Sequence, residues 1–93
     1  LHPRMNVQAL VARNIRRLRV AKEISQDAFA ADTGIDRAYV SRLESGSENP
    51  GILLLERIAV ALEVEVGELF RKPEPGEKEP MTLRSGRKPG RVG

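Results

Sequence analysis

The residues able to do chemistry in this chain are almost all cationic hydrogen-bond donors. There is no cysteine, which excludes disulfides, thiol catalysis and cysteine-ligated zinc. The only histidine is His2, close to the start, so neither a histidine-based triad nor a metal site is expected. No carboxylate pair, no nucleophile beside a base and no phosphate-cradling loop stands at a useful spacing. The chain is therefore not read as an enzyme, and no cofactor is expected. What remains is 16 Lys+Arg against 13 Asp+Glu, a net charge of +3 in 93 residues. That total is a weak pointer to an anionic partner, and its distribution says more. Residues 1–24 carry +5, residues 25–70 carry −6 and residues 71–93 carry +4. The ends are basic and the middle is acidic. Aromatic residues make up only 3%, which argues against a stacking platform for single-stranded bases.

Helices must position these donors. Val7, Val11, Ile15 and Leu18 recur at spacings of four, four and three, one face of a first helix. Arg13, Arg16 and Arg17 fall on its other faces. Ser25 is placed to cap a second helix, with Asp27 in its first turn favouring the positive end of the dipole. Gly34 stops that helix in a left-handed backbone position. Asp36 caps a third helix with Val40 and Leu43 inward, and Gly46 ends it. A loop over residues 45–50 leads to a fourth helix, about 52–62, with Ile52, Leu55, Ile58, Ala59 and Leu62 inward. A last short helix covers about 66–70. Five helices without a strand signal define an all-α domain over residues 7–70, preceded by a flexible segment, 1–6. Leu1–Arg4 precede Met5 and read as upstream sequence. Residues 71–93 are rich in proline and glycine, lack a period, and read as a basic, disordered tail. The length fits one domain. No apolar run is long enough to span a bilayer and no signal peptide pattern is present, so a soluble cytoplasmic protein is expected.

The second and third helices are both short and separated by a few residues. Such a pair crosses steeply instead of lying antiparallel, which is helix-turn-helix geometry. Ala30 is small enough for close approach, Gly34 turns the chain, and Val40 locks the third helix onto the second. The spacing Gln26-x3-Ala30-x3-Gly34-x5-Val40 meets all these needs at once.

With these residues in place, positions 15–70 resemble the helix-turn-helix domain of phage repressors, Cro proteins and the xenobiotic-response-element-like bacterial regulators. The matching stretches are Ile15-Arg16-Arg17-Leu18-Arg19, Ser25-Gln26, Ala30, Gly34-Ile35, Val40-Ser41-Arg42-Leu43-Glu44-Ser45-Gly46, Asn49-Pro50 and Ile58-Ala59-x2-Leu62. Asp36-Arg37-Ala38-Tyr39-Val40-Ser41 looks most like controller proteins of restriction–modification systems. The resemblance implies a five-helix lambda-repressor-like fold, a homodimer, and a recognition helix in the major groove of double-stranded DNA.

Carried over residue by residue, the resemblance places base reading on Arg37, Ala38, Ser41 and Arg42, on the outward face of the third helix. An arginine can donate two hydrogen bonds to the O6/N7 edge of guanine, and Ala38 offers only apolar contact, as with a thymine methyl. Ser41 either touches a base edge or leaves room. Gln26, at a helix N-terminus, is implied to bridge a phosphate and the recognition helix. Tyr39 either reaches a phosphate or packs its ring against the neighbouring helix. Arg19 and Glu44 are implied to form a partly buried structural ion pair, with phosphate contact a second role for Arg19. Arg13 and Arg17 belong to the basic surface of the first helix, where phosphate contact competes with ordinary solvation. Ser45, Ser47 and Asn49 are neutral phosphate donors in the loop. Glu48, in that same loop, departs from the basic residues many family members carry there.

Leu53 and Leu54 stand beside the inward stripe of the fourth helix, where relatives usually have polar residues. They suggest a dimer surface, with Val64, Val66, Leu69 or Phe70 contributing; the alternative is a wide core. Gly51 and Glu65 replace the family's usual capping Ser or Thr, which predicts weaker caps. The segment Gly86-Arg87-Lys88-Pro89-Gly90-Arg91 loosely resembles basic minor-groove arms, though any basic tail attracts phosphate. The function this implies is a sequence-specific, dimeric, nucleoid-associated regulator of transcription on a palindromic operator, a repressor or autoregulator. Repression needs only occupancy, whereas activation would need a contact with polymerase. The length leaves no room for a conventional effector-sensing domain. The alternative is a protein-interaction module of the same fold, such as an antitoxin bound to a toxin.

Overall fold

The computed structural model describes residues 6–77. Four α-helices, α1 (Val7–Ala21), α2 (Gln26–Thr33), α3 (Arg37–Glu44) and α4 (Ile52–Leu62), are followed by a 3-10 helix, η1 (Val66–Phe70). No strand occurs among the described residues. Local chemistry explains the boundaries. Asn6, Ser25 and Asp36 each cap the helix that follows, their side chains accepting from the backbone N–H of Ala9, Ala28 and Tyr39. Gly51 and Glu65 make no side-chain cap bond. The weak start at Glu65 and only five residues leave η1 as a 3-10 helix where a fifth α-helix was expected.

Gly34, at φ +79°, turns the chain between α2 and α3. The spot where its Cβ would stand is 3.4 Å from the Arg57 guanidinium, which donates to the Thr33 carbonyl at 2.6 Å. Arg57 of α4 thus satisfies a carbonyl at the end of α2 and braces the turn from beneath. Ala30, Val40 and Leu43 join Val11, Ile15, Leu18, Phe29, Leu55, Ile58, Ala59, Leu62 and Leu69 in a single core. Two expected core positions lie outside it. Val7 and Ile52 are 63% and 79% exposed, because each opens its helix and the stripe has run past the core at that end.

The folded body extends beyond residue 70. Asn14, fully buried in α1, donates to the carbonyls of Leu69 and Arg71 at 2.9 and 2.8 Å. Residues 71–77 then return to α1, where Glu77 accepts from Arg13 at 3.1 Å and from Arg71 at 3.0 Å. The tail expected from residue 71 is therefore shortened, and the rest of it, with the Gly86–Arg91 motif, lies outside the described residues. So does the expected flexible start, apart from Asn6, which belongs to the cap of α1.

Candidate nucleic-acid interface

α3 stands on Val40 and Leu43, both buried, and turns its opposite face to solvent. Arg37, Ala38, Ser41 and Arg42 all lie on that exposed face. They form one surface because a helix repeats every 3.6 residues, so positions 37, 38, 41 and 42 share a side. The cap at Asp36 points the first turn outward, and α2 braces the helix from behind.

The arginines on this face have acidic neighbours. Arg37 Nε lies 3.6 Å from Asp27 Oδ1 of α2, with both side chains more than half exposed. Arg42 Nε donates to Glu48 Oε2 at 2.6 Å, and its guanidinium lies 5.6 Å from the centre of the Tyr39 ring. The hydrogen bond to Glu48 raises the Arg42 guanidinium pKa above its ordinary value. The Tyr39 ring is half-buried against the core. Its outer side carries Arg42, so one residue both packs on the core and meets the exposed face of α3.

Beneath this surface lies a polar knot. Arg19 is fully buried and donates Nε and Nη2 to the two carboxylate oxygens of Glu44, at 2.5 and 2.8 Å. Its Nη1 donates to the Ile24 carbonyl at 2.7 Å. Gln26, the first residue of α2, donates to Glu44 Oε1 at 3.2 Å. One carboxylate thus joins α1, α2 and α3. The paired, hydrogen-bonded arrangement meets what burying two charges requires.

Several expected contacts are corrected by this geometry. Arg19 spends its donors inside the protein and has no surface from which to reach a phosphate. Arg13 is only 4% exposed and is held by Glu77, so it does not belong to a basic outer face. Arg17 bonds Asn14 at 3.1 Å and approaches Glu68 of η1 at 3.5 Å, which turns it toward the last helix and away from the α3 face. Leu69 is fully buried in the core, so it is not free to line a dimer surface. Ser45 Oγ donates to the Arg42 carbonyl and pairs with Ser47 Oγ, each at 2.9 Å, and Asn49 is exposed in the same loop. Sequence reading missed the partnership of Glu48 with Arg42 and the bond from Gln8 Nε2 to the Glu48 carbonyl at 2.6 Å. The six-residue step from Arg42 to Glu48 was visible. The turn that closes it was not.

On another side, Leu53, Val60, Val66 and Phe70 are 72%, 72%, 45% and 40% exposed. With Ile52, Leu55, Ala59 and Val64, and with Glu56 and Glu65 also in the lining, they form an open, mostly apolar groove of about 510 Å³ between α4 and η1. Leu54 is half-buried and packs on the core. Among the described residues there is no cluster of potential metal ligands, and no helix is long and apolar enough to cross a membrane.

Two short helices in contact, joined by a glycine turn, with the second turning one face to solvent, make the arrangement of a helix-turn-helix DNA-binding domain. Residues 15–69 match the HTH_3 helix-turn-helix family, and the chain belongs to that family of transcriptional regulators. It is 39% identical over 57 residues to the control protein C.MunI of Mycoplasma sp, covering 60% of this chain and 77% of that one. The crystal structure of the restriction–modification controller protein C.AhdI from Aeromonas hydrophila is similar, with a TM-score of 0.66 at 36% identity, covering 68% of this chain and 96% of that one. The hypothetical transcription factor NHTF from Neisseria matches with a TM-score of 0.71 at 36% identity, over 76% of this chain and 83% of that one.

Proposed function

We propose that the chain is a sequence-specific regulator that binds a palindromic operator as a homodimer and acts by occupying a promoter, in the manner of a controller protein. The observation that carries this reading is the outer face of α3. Its four exposed side chains, Arg37, Ala38, Ser41 and Arg42, stand on a helix whose other face is locked into the core. Inserted in the major groove, that face offers guanidinium donors and a methyl group to base edges. Gln26, Tyr39 and Asn49 are its candidate donors to phosphate, and Ser45 and Ser47 join them on exchanging the hydrogen bonds they make within the loop.

The apolar groove of α4 and η1 supports the dimer. Leucine and valine side chains this exposed are covered in a stable protein–protein contact. Two copies related by a two-fold axis would set their recognition helices about 34 Å apart, in successive major grooves. Leu53→Glu should shift sedimentation from dimer to monomer and weaken operator binding at least about tenfold. An unchanged sedimentation profile would move the dimer surface elsewhere.

The test of the whole reading is selection of bound duplexes from a random DNA pool, followed by gel shifts at two salt concentrations. Recovery of a two-fold-symmetric sequence, with Arg37→Ala and Arg42→Ala each losing the preference for it, is the expected result. If no sequence binds better than another, and a protein partner is retained tightly instead, the regulator gives way to the interaction module.

A further inference from the structure

We propose that Glu48 is a specificity-determining residue: it holds Arg42 as a reader of base edges and withdraws it from phosphate. The inference rests on α3 being the recognition helix. Arg42 lies in the last turn of α3, and its Nε is held by Glu48 Oε2 at 2.6 Å. One face of the guanidinium lies over Tyr39, at 5.6 Å from the ring centre. Edge and face are thus both engaged, while the side chain remains 52% exposed. Among the described residues, Glu48 is the one hydrogen-bond acceptor of the Arg42 side chain, so its two terminal nitrogens have no acceptor there.

Glu48 is itself fixed from two directions. Gly46, at φ +82°, closes the end of α3, and Ser47 N–H returns to the Arg42 carbonyl at 2.9 Å. That turn brings residue 48 back beside residue 42. The Glu48 carbonyl is then tied to Gln8 in the first turn of α1, at 2.6 Å. Its side chain is only 25% exposed. The backbone that carries this carboxylate is tied down and its side chain is mostly covered, unlike that of Asp27, which is 81% exposed beside Arg37.

The consequence is electrostatic. A free guanidinium gains from every phosphate it approaches, whatever the sequence. A guanidinium joined to a carboxylate has no net charge at a distance, so that gain is largely cancelled. Its remaining N–H groups still donate to guanine O6 and N7, neutral acceptors that demand geometry and not charge. Holding the fork before binding also reduces the side-chain ordering left for the complex. The pair therefore lowers affinity for arbitrary DNA and preserves affinity for a correctly placed base.

The experiment compares the full chain with Glu48→Gln, Glu48→Ala, Arg42→Ala and the Arg42→Ala/Glu48→Ala double variant. Binding to a duplex selected from a random pool and to a scrambled duplex of the same composition is measured at several salt concentrations. Glu48→Ala should tighten scrambled-duplex binding and steepen its salt dependence by about one phosphate contact, lowering the ratio of selected to scrambled affinity about tenfold. Glu48→Gln, which keeps a hydrogen-bond acceptor without the charge, should tighten scrambled-duplex binding while losing less of the ratio. In the Arg42→Ala background, Glu48→Ala should leave the ratio unchanged. An undiminished ratio in Glu48→Ala, or an equal fall with and without Arg42, overturns the assignment of Glu48 while the recognition helix stands. If the unaltered chain does not distinguish the two duplexes, the reading of α3 fails and this inference fails with it.

Discussion

Two arginine–glutamate pairs meet at the end of α3, and they do opposite things. Arg19–Glu44 and Arg42–Glu48 close at 2.5 and 2.6 Å, so distance does not distinguish them. Position does. Residues 42 and 44 of one helix point in nearly opposite directions, about 200° apart at 3.6 residues per turn. Glu44 points into the protein, where its side chain and that of Arg19 are 3% and 0% exposed. Glu48 and Arg42 meet at the surface, at 25% and 52%. The inner pair holds three helices together because neither charge has water as an alternative. The outer pair has water on one side and contributes little to stability. Ion pairs of nearly equal length thus constrain the fold in one place and leave it almost unaffected in the other.

That contrast can be broken by substitution. The largest effect belongs to Arg19→Ala, which leaves Glu44 charged, buried and short of its donors. A loss of about 3–5 kcal/mol is expected in urea unfolding. A domain of this size has a stability on the order of 4–10 kcal/mol, so the variant should be close to unfolding at room temperature. A loss under about 1 kcal/mol would mean that the inner pair is as dispensable as an exposed one.

Arg42→Ala should show the reverse pattern. Its unfolding midpoint should stay within about 0.5 kcal/mol of the unaltered chain. Binding to a selected operator should weaken by about 1–3 kcal/mol. Equal losses of stability and binding would place Arg42 with the structural pairs.

Arg13–Glu77 is an intermediate case that sharpens the comparison, because a buried arginine meets a carboxylate nearer the surface. The Glu74 backbone N–H and then the Arg13 guanidinium hold the Glu77 carboxyl down at about 2, from an ordinary 4.5. A carboxyl depressed in the folded state stabilises the fold above its unfolded value and loses that contribution as pH falls. Thermal unfolding of Glu77→Gln should therefore lie below that of the unaltered chain at pH 6. The gap should narrow between about 4.5 and 2 and vanish below. A gap as wide at pH 2 as at pH 6 would assign the effect to packing. This is the smallest of the three effects.

Much of the fold was legible from short-range chemistry. The caps at Ser25 and Asp36, the stop at Gly34 and the pairing of Ala30 with Val40 depend on neighbours within a few residues. Local pattern therefore located α2, the turn and α3. The outward face of α3 followed from the same periodicity. Arg13 was misplaced because its environment comes from Glu77, 64 residues away. Composition alone marks that segment as tail. Leu69 was misplaced because an apolar residue looks the same whether a neighbouring helix or a second molecule covers it. Here Asn14 draws the Leu69 backbone onto α1 and the core takes the side chain. Glu48 was recognised as a departure from the family pattern but not as a partner of Arg42, because that partner is reached through a turn.

Sequence by itself determined that this chain is helical, that its second and third helices cross as a helix-turn-helix, and which side chains face outward on α3. Those properties come from periodicity, capping and glycine, all of which act over a turn or two. Tertiary structure alone decided which arginines remain at the surface. Arg13 and Arg19 are buried with carboxylates and Arg17 is turned toward η1, while Arg37 and Arg42 stay at the surface. The physical reason is that a charge has one meaning when solvated and another when paired in the interior. Which of the two applies depends on residues far away along the chain.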